Sequence, residues 1–194
     1  MYSKYKYARI HCMRGVYMKI LLTSDTHYFN EYLEKLLDKY KNNIDLYIHC
    51  GDSSLKPDHL LMKRFDYIVQ GNHDDYPYPI YQIHENILIT HGHKYKVYKG
   101  YKELISLCKT NNIRYCFHGH THVPTLQIIE DIVFINPGSL MMNRGSYGFG
   151  TYAVIDIQQD NYNVNYFHHE THEPVGTFVI EEGLELLEEF KKIA

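Results

Sequence analysis

Met18-Lys19-Ile20-Leu21-Leu22-Thr23-Ser24-Asp25-Thr26-His27 is a short apolar run that breaks off at polar residues and ends on Asp-x-His. Apolar runs of this length, closed by polar residues, are the pattern of a strand buried on both faces. The same pattern recurs down the chain. A strand over 44–49 is followed by Gly51-Asp52, and a strand over 65–70 by Gly71-Asn72-His73-Asp74. A strand over 87–91 closes on His91-Gly92-His93, and a strand over 113–117 runs into His118-Gly119-His120-Thr121-His122. Helical periodicity lies between these strands. Leu33, Leu36, Leu37 and Tyr40 share one face of a helix over 30–41, and Tyr101, Leu104, Ile105 and Cys108 one face of a helix over 99–109. A short helix is expected after Pro57, with proline at its first turn.

Beyond residue 120 the texture changes. Strands over 125–129, 132–136, 149–157 and 162–168 follow one another with Gly- or Asp/Asn-rich connections. An acidic helix over 181–193 closes the chain, with Leu184, Leu187 and Phe190 as its buried stripe. Strand–helix alternation followed by hairpins predicts an α/β protein, with a mixed sheet or two packed sheets flanked by helices.

In open α/β sheets, ligands bind beyond the carboxyl ends of the strands. Neighbouring strand ends lie about 4.8 Å apart, so polar groups following five successive strands can converge. Seven or eight ligand-type side chains are too many for one tetrahedral zinc, and suit two cations sharing a carboxylate. Oxygen and nitrogen donors without thiolate favour Mn, Fe, Co, Ni or Zn, and several imidazoles argue against Ca²⁺ or Mg²⁺ alone. Two divalent ions would outweigh the charge of Asp25 and Asp52, and the surplus favours an anionic substrate such as a phosphate ester.

Composition narrows the class further. The 194 residues are 44% hydrophobic and 22% charged, which suits a single domain and excludes intrinsic disorder. No apolar run approaches the roughly 18 residues of a membrane span. A net charge of −3 argues against a protein that coats nucleic acid, and no extended basic surface is evident. The 14 histidines are the informative excess, because many of them fall at strand ends. Cys12, Cys50, Cys108 and Cys116 have no CxxC spacing and read as reduced thiols of a cytoplasmic protein, with Cys50, Cys108 and Cys116 in packing roles. Residues 1–17 carry Lys4, Lys6, Arg9 and Arg14 and no acid. They read as a basic extension upstream of a natural start at Met18, leaving one domain over 18–194. An exposed Tyr and Leu face would allow a homo-oligomer.

Together, Ser24-Asp25-Thr26-His27, Gly51-Asp52, Gly71-Asn72-His73-Asp74, Thr90-His91-Gly92-His93 and Gly119-His120-Thr121-His122 resemble the five motifs of calcineurin-like metallophosphoesterases. The small size and Asn136-Pro137-Gly138-Ser139 resemble the minimal bacterial and archaeal phosphodiesterase branch of that family. The resemblance spans roughly residues 18–168 and implies a two-sheet mixed β-sandwich flanked by helices with a dinuclear metal site. Carried over by position, Asp25, His27 and His122 hold one metal, Asn72, His91 and His120 hold the other, and Asp52 bridges. The ions implied are Mn²⁺ first, with Ni²⁺, Co²⁺, Fe²⁺ or Zn²⁺ as alternatives. A metal-bound hydroxide then attacks a small phosphate ester, most simply a phosphodiester, with His73 as general acid and Asp74 orienting His73.

Departures from the family pattern also carry information. Tyr28 stands where glycine often follows the first motif, and could wall the pocket. Arg144 alone remains of a usual Pro-Arg, and is a candidate phosphate contact. His93 reads as a support of the ligands or as substrate-facing. His49, His59, His84, His168, His169 and His172 read as surface or strand residues. The competing reading is a catalytically weak protein-binding scaffold of the same fold, similar to a retromer subunit. Amidohydrolase-like and PHP-type esterase readings fail because their His-x-His pair comes first, whereas Asp-x-His comes first here.

Overall fold

A computed structural model of the chain describes residues 17–145, 147–159 and 161–193. The basic extension lies outside the described residues except for Tyr17, which begins the first strand. In chain order the elements are β1 (Tyr17–Thr23), α1 (Asn30–Lys39), β2 (Leu46–His49), β3 (Tyr67–Ile68), β4 (Tyr81–His84), β5 (Ile87–Thr90), α2 (Lys102–Thr110) and β6 (Tyr115–Phe117). They continue with β7 (Thr125–Ile129), β8 (Ile132–Asn136), β9 (Thr151–Gln158), β10 (Asn161–His168) and α3 (Phe178–Ile193).

The strands form two five-stranded sheets, in the orders β10-β9-β1-β2-β3 and β4-β5-β6-β8-β7. Each sheet has a run of three parallel strands, β1, β2 and β3 in one and β5, β6 and β8 in the other. The remaining strands add in antiparallel fashion. This is the two-sheet mixed sandwich that the motifs imply.

Strand alternation explains the layering. Ile20 and Leu22 of β1 point between the sheets, where they join Ile48, Ile89, Phe117 and Ile135. Leu21 points the other way, onto Leu33, Leu36 and Leu37 of α1. On the far sheet Leu88, Cys116 and Phe134 turn outward onto Leu104 and Cys108 of α2. A strand covered on both faces has no polar side to alternate with, and so reads as an unbroken apolar run. Each fully buried aliphatic contributes about 1.5–3 kcal/mol. Cross-links close the sandwich at both open edges. The Gln82 amide donates to the Ile68 carbonyl at 2.7 Å, and the Tyr166 hydroxyl to the Thr125 carbonyl at 2.7 Å.

Some expected elements differ. No α-helix follows Pro57. Turns lead to a single 3-10 turn, Met62–Arg64, which the extended backbone of Phe65 ends. The strand expected over 65–70 shrinks to Tyr67–Ile68, an edge strand with one neighbour. β4 was not expected, because its apolar Tyr81 and Ile83 face outward while Gln82 and His84 face in, which inverts the usual signal. Two 3-10 turns, His93–Tyr95 and Val97–Lys99, precede α2, so that helix begins at Lys102 rather than at 99. No described helix is long and apolar enough to cross a membrane.

Candidate metal centre

The parallel strands of each sheet deliver their following loops to one edge. The backbone there is unusual. Asp25, His27, Asp52, His120 and His122 all adopt positive φ, between 44° and 69°. Non-glycine residues seldom occupy this region, and a run of them marks a segment held by its surroundings. Hydrogen bonds supply that hold. Asp25 N–H donates to the Gly51 carbonyl, His27 N–H to the Asp52 carbonyl, and the Ser139 hydroxyl to the Asp25 carbonyl at 2.8 Å. Two glycines permit the approach. A Cβ on Gly71 would meet Asp52 Oδ1 at 1.9 Å, and one on Gly119 would meet Ser24 Oγ at 1.9 Å and Asp25 Oδ2 at 2.6 Å.

Within this frame two triads of ligand atoms come together, Asp25/His27/His122 and Asp25/Asp52/His91, each with its atoms within 4.8 Å of one another. Asp25 Oδ1 lies 3.1 Å from His122 Nε2 and 3.9 Å from His91 Nε2. Asp52 Oδ2 lies 3.3 Å from His91 Nε2 and 3.9 Å from His27 Nε2, between the two groups. Asn72 Oδ1 joins on the His91 side, 3.1 Å from its Nε2. His120 stands outside both triads, with its ring 5.1 Å from that of His91 and its backbone N–H donating to Asp25 Oδ2. His91 Nδ1 is 2.7 Å from the Cys50 carbonyl. As its donor, Nδ1 leaves Nε2 as a lone-pair atom facing the cluster, the tautomer a metal-ligating imidazole takes.

The electrostatics of the cluster call for cations. Asp25 is fully buried and its Oδ1 has no hydrogen-bond partner. A buried carboxylate oxygen without a partner is costly unless a positive charge faces it. Burial alone would raise the Asp25 pKa, but the His91 and His122 imidazoles overcome it and hold the carboxyl well below its usual range. His91 shows the converse. Burial opposes its charged form, yet Asp25 and Asp52 raise its pKa. The two carboxylates thus favour positive charge at this point of the cluster. Burial lowers the pKa of His27, and lowers His120 to about 4, which keeps both as neutral donors. Carboxylate, carboxamide and neutral imidazole are the donor set of a transition-metal pair, so these residues fit the ions the motifs imply.

The other expected residues fall as follows. His73 is exposed, its ring edge-on to His27 at 5.4 Å, and its N–H donates to Asp52 Oδ1 at 2.7 Å. Asp74 does not orient His73. Its buried carboxylate accepts Asp52 N–H, Gly71 N–H and Ser54 N–H at 2.7–2.8 Å, and no hydrogen bond joins it to the His73 imidazole. The loop N–H groups saturate the carboxylate, so Asp74 knots the Asp52 loop to the Asn72 loop. His93 is half-buried beside His91 and His120, with Nδ1 unpartnered and its pKa lowered to about 4 chiefly by burial. Arg144 is exposed at the rim, where its N–H donates to the His122 carbonyl. Tyr28 is 64% exposed.

Three features escaped the sequence reading. His49, read as an ordinary strand residue, is fully buried behind the site, bonded to Gly51 N–H and to the Thr26 hydroxyl. Its place directly before Gly51-Asp52 was the available signal. Asn136 braces the His120 loop through the Gly119 carbonyl and the Thr121 hydroxyl. Tyr98 packs against His120 at 5.0 Å and donates to its carbonyl.

The sequence profile of the calcineurin-like phosphoesterase superfamily domain matches residues 18–160. The chain belongs to that superfamily. It is 26% identical over 155 residues to a probable metallophosphoesterase of Bacillus subtilis, covering 77% of this chain and 90% of that one. It is 26% identical over 172 residues to a phosphodiesterase of Methanocaldococcus jannaschii, covering 75% and 96%. The crystal structure of a predicted phosphoesterase from Streptococcus pneumoniae TIGR4 superposes with a TM-score of 0.76 at 30% identity, covering 82% of this chain and 93% of that one. Membership of this calcineurin-like metallophosphoesterase superfamily implies divalent metals and a phosphoester hydrolase.

Proposed function

We propose that this chain is a metal-dependent phosphodiesterase acting on a small phosphate ester. The observation that carries the reading is Asp25 Oδ1, a fully buried carboxylate oxygen without a hydrogen-bond partner, ringed by imidazole nitrogens of His27, His91 and His122. Asp25, His27 and His122 would hold one ion and Asn72, His91 and His120 the other, with Asp52 between them. Such a pair, Mn²⁺ first among the candidates, supplies Lewis acidity toward phosphoryl oxygens and a water-derived nucleophile at neutral pH.

The chain's own groups do the remaining work. His73 is tethered to the site through its N–H to Asp52, while its exposed imidazole belongs to neither triad. That freedom suits proton donation to the departing alcohol oxygen. Asp74 keeps the loops of Asp52 and Asn72 in register through three backbone N–H groups. His93 and Arg144 lie at the margin and would face the substrate.

Turnover of bis(p-nitrophenyl) phosphate and of an unactivated dinucleotide, with Mn²⁺, Ni²⁺, Co²⁺ and Zn²⁺ in turn, tests the reading. No hydrolysis of either with any ion would refute it and favour the scaffold reading. His73→Ala should retain metal and lose roughly 10²-fold or more in rate on the dinucleotide. The loss should be smaller on the nitrophenyl ester, whose leaving group needs little protonation. Equal losses on both would remove the acid role from His73.

A further inference from the structure

Arg144 is held in a way its exposure alone does not explain. Its guanidinium carbon lies 5.6 Å from the centre of the Tyr98 ring and 5.9 Å from that of Phe190, and the two rings meet edge-on at 5.5 Å. Tyr98 is itself fixed, packed on the His120 ring at 5.0 Å and bonded to the His120 carbonyl. Backbone N–H of Arg144 is tied to the His122 carbonyl at 2.8 Å. The arginine is thus anchored to both histidines of the Gly119–His122 loop.

Its charge is unanswered. α3 carries Glu181, Glu182, Glu185, Glu188 and Glu189, and Glu182, Glu185 and Glu189 line a groove with Gly145, next to Arg144 in the chain. Nevertheless no carboxylate pairs with Arg144 among the described residues, although these acids stand close by in α3. A guanidinium held by cation–π contact with aromatic rings can still offer its N–H edge to a planar anionic fork, and phosphate is a good match. Because the Tyr98 ring stands between Arg144 and His120, the guanidinium is one ring removed from the ligand cluster. A phosphate bound there would sit apart from one held by the ligand cluster.

We infer that Tyr98 and Phe190 are positioning residues that hold Arg144 to bind a second phosphate group of the substrate, so that α3, outside the matched residues 18–160, completes the specificity rim. This rests on the phosphodiesterase reading and narrows its substrate class to phosphodiesters bearing a further phosphate.

A matched pair of chromogenic substrates tests it: thymidine 5′-(p-nitrophenyl phosphate) with and without a 3′-phosphate. Both share the scissile bond and leaving group. Wild-type protein with Mn²⁺ should favour the 3′-phosphorylated ester roughly tenfold in kcat/KM, mainly through KM. R144Q and F190A should bring that ratio close to one with bound metal unchanged, and F190Y should restore it. A wild-type ratio of one, or an F190A ratio equal to wild type, overturns the assignment. Titration of the Mn²⁺-loaded protein with thymidine 3′,5′-bisphosphate and thymidine 5′-monophosphate reads the same contact without turnover. Tighter binding of the bisphosphate, lost in R144Q, would uphold the rim assignment even if neither ester were cleaved, in which case the hydrolase reading alone fails. Equal binding of the two nucleotides refutes the assignment.

Discussion

Asp25 and Asp52 combine three costs at single positions: a carboxylate, burial, and a left-handed backbone. Each left-handed residue of this kind costs about 1 kcal/mol, and the carboxylates cost more until cations face them. Ser139, Asp74 and the glycines offset this by fixing the loops from behind. Gly119 is one of these exacting positions, since a Cβ there would displace Asp25 Oδ2 or Ser24 Oγ. Gly119→Ala should therefore keep the fold while weakening Mn²⁺ binding at least tenfold, as measured by isothermal titration beside a circular dichroism melt. Unchanged affinity would mean that the close approach of Gly119 does not set the position of Asp25. The ligand types were legible in the sequence because Asp25, Asp52, His91, His120 and His122 each follow a strand. The partner of Asp74 was not legible. Which donors reach a carboxylate depends on how three loops fold over it, and the neighbouring His73 was only its neighbour along the chain.

At the scale of elements, β6 shows how one strand serves both core and site. His118, directly after it, is buried on the α2 side, with its Nε2 hydrogen-bonded to the Tyr101 hydroxyl at 2.9 Å, while His120 reaches the rim. Burial lowers the His118 pKa from its ordinary 6.5 to about 4. The folded protein thus holds this imidazole neutral where the unfolded chain would protonate it. Its stabilisation is complete above about pH 6.5, declines as pH falls toward about 4, and does not change further below that. The loss is at most about 3 kcal/mol. Urea midpoints of the chelated protein should fall between about pH 7 and about pH 5, and His118→Gln should show a smaller fall. Equal pH dependence in the two proteins would contradict the burial account. The hairpin strands β7 and β8 match their expected spans, 125–129 and 132–136, residue for residue. Their turn is local and their apolar faces unambiguous. β3 and β4 were misjudged because edge strands with one neighbour and outward-facing tyrosine or isoleucine carry little pattern to read.

For the whole molecule, two sheets are needed because each supplies only part of the ligand set. Asp25, Asp52 and Asn72 follow strands of one sheet, and His91, His120 and His122 follow strands of the other. The shared apolar layer of Ile20, Leu22, Ile48, Ile89, Phe117 and Ile135 holds the two edges in contact. Sequence alone left open a single mixed sheet or two sheets, since parallel strand order depends on long-range pairing. The family motifs resolved that choice. The acidic face of α3 reads from the sequence, but its reach through Phe190 to Tyr98 does not. The claim on which the rest depends is that Asp52 lies between two ions at the junction of the sheets. Metal content of protein equilibrated with Mn²⁺, measured for wild type and Asp52→Ala, tests it most directly. Two ions per wild-type chain and loss of bound metal in the variant are the expected result, and a variant that still holds two ions would contradict it.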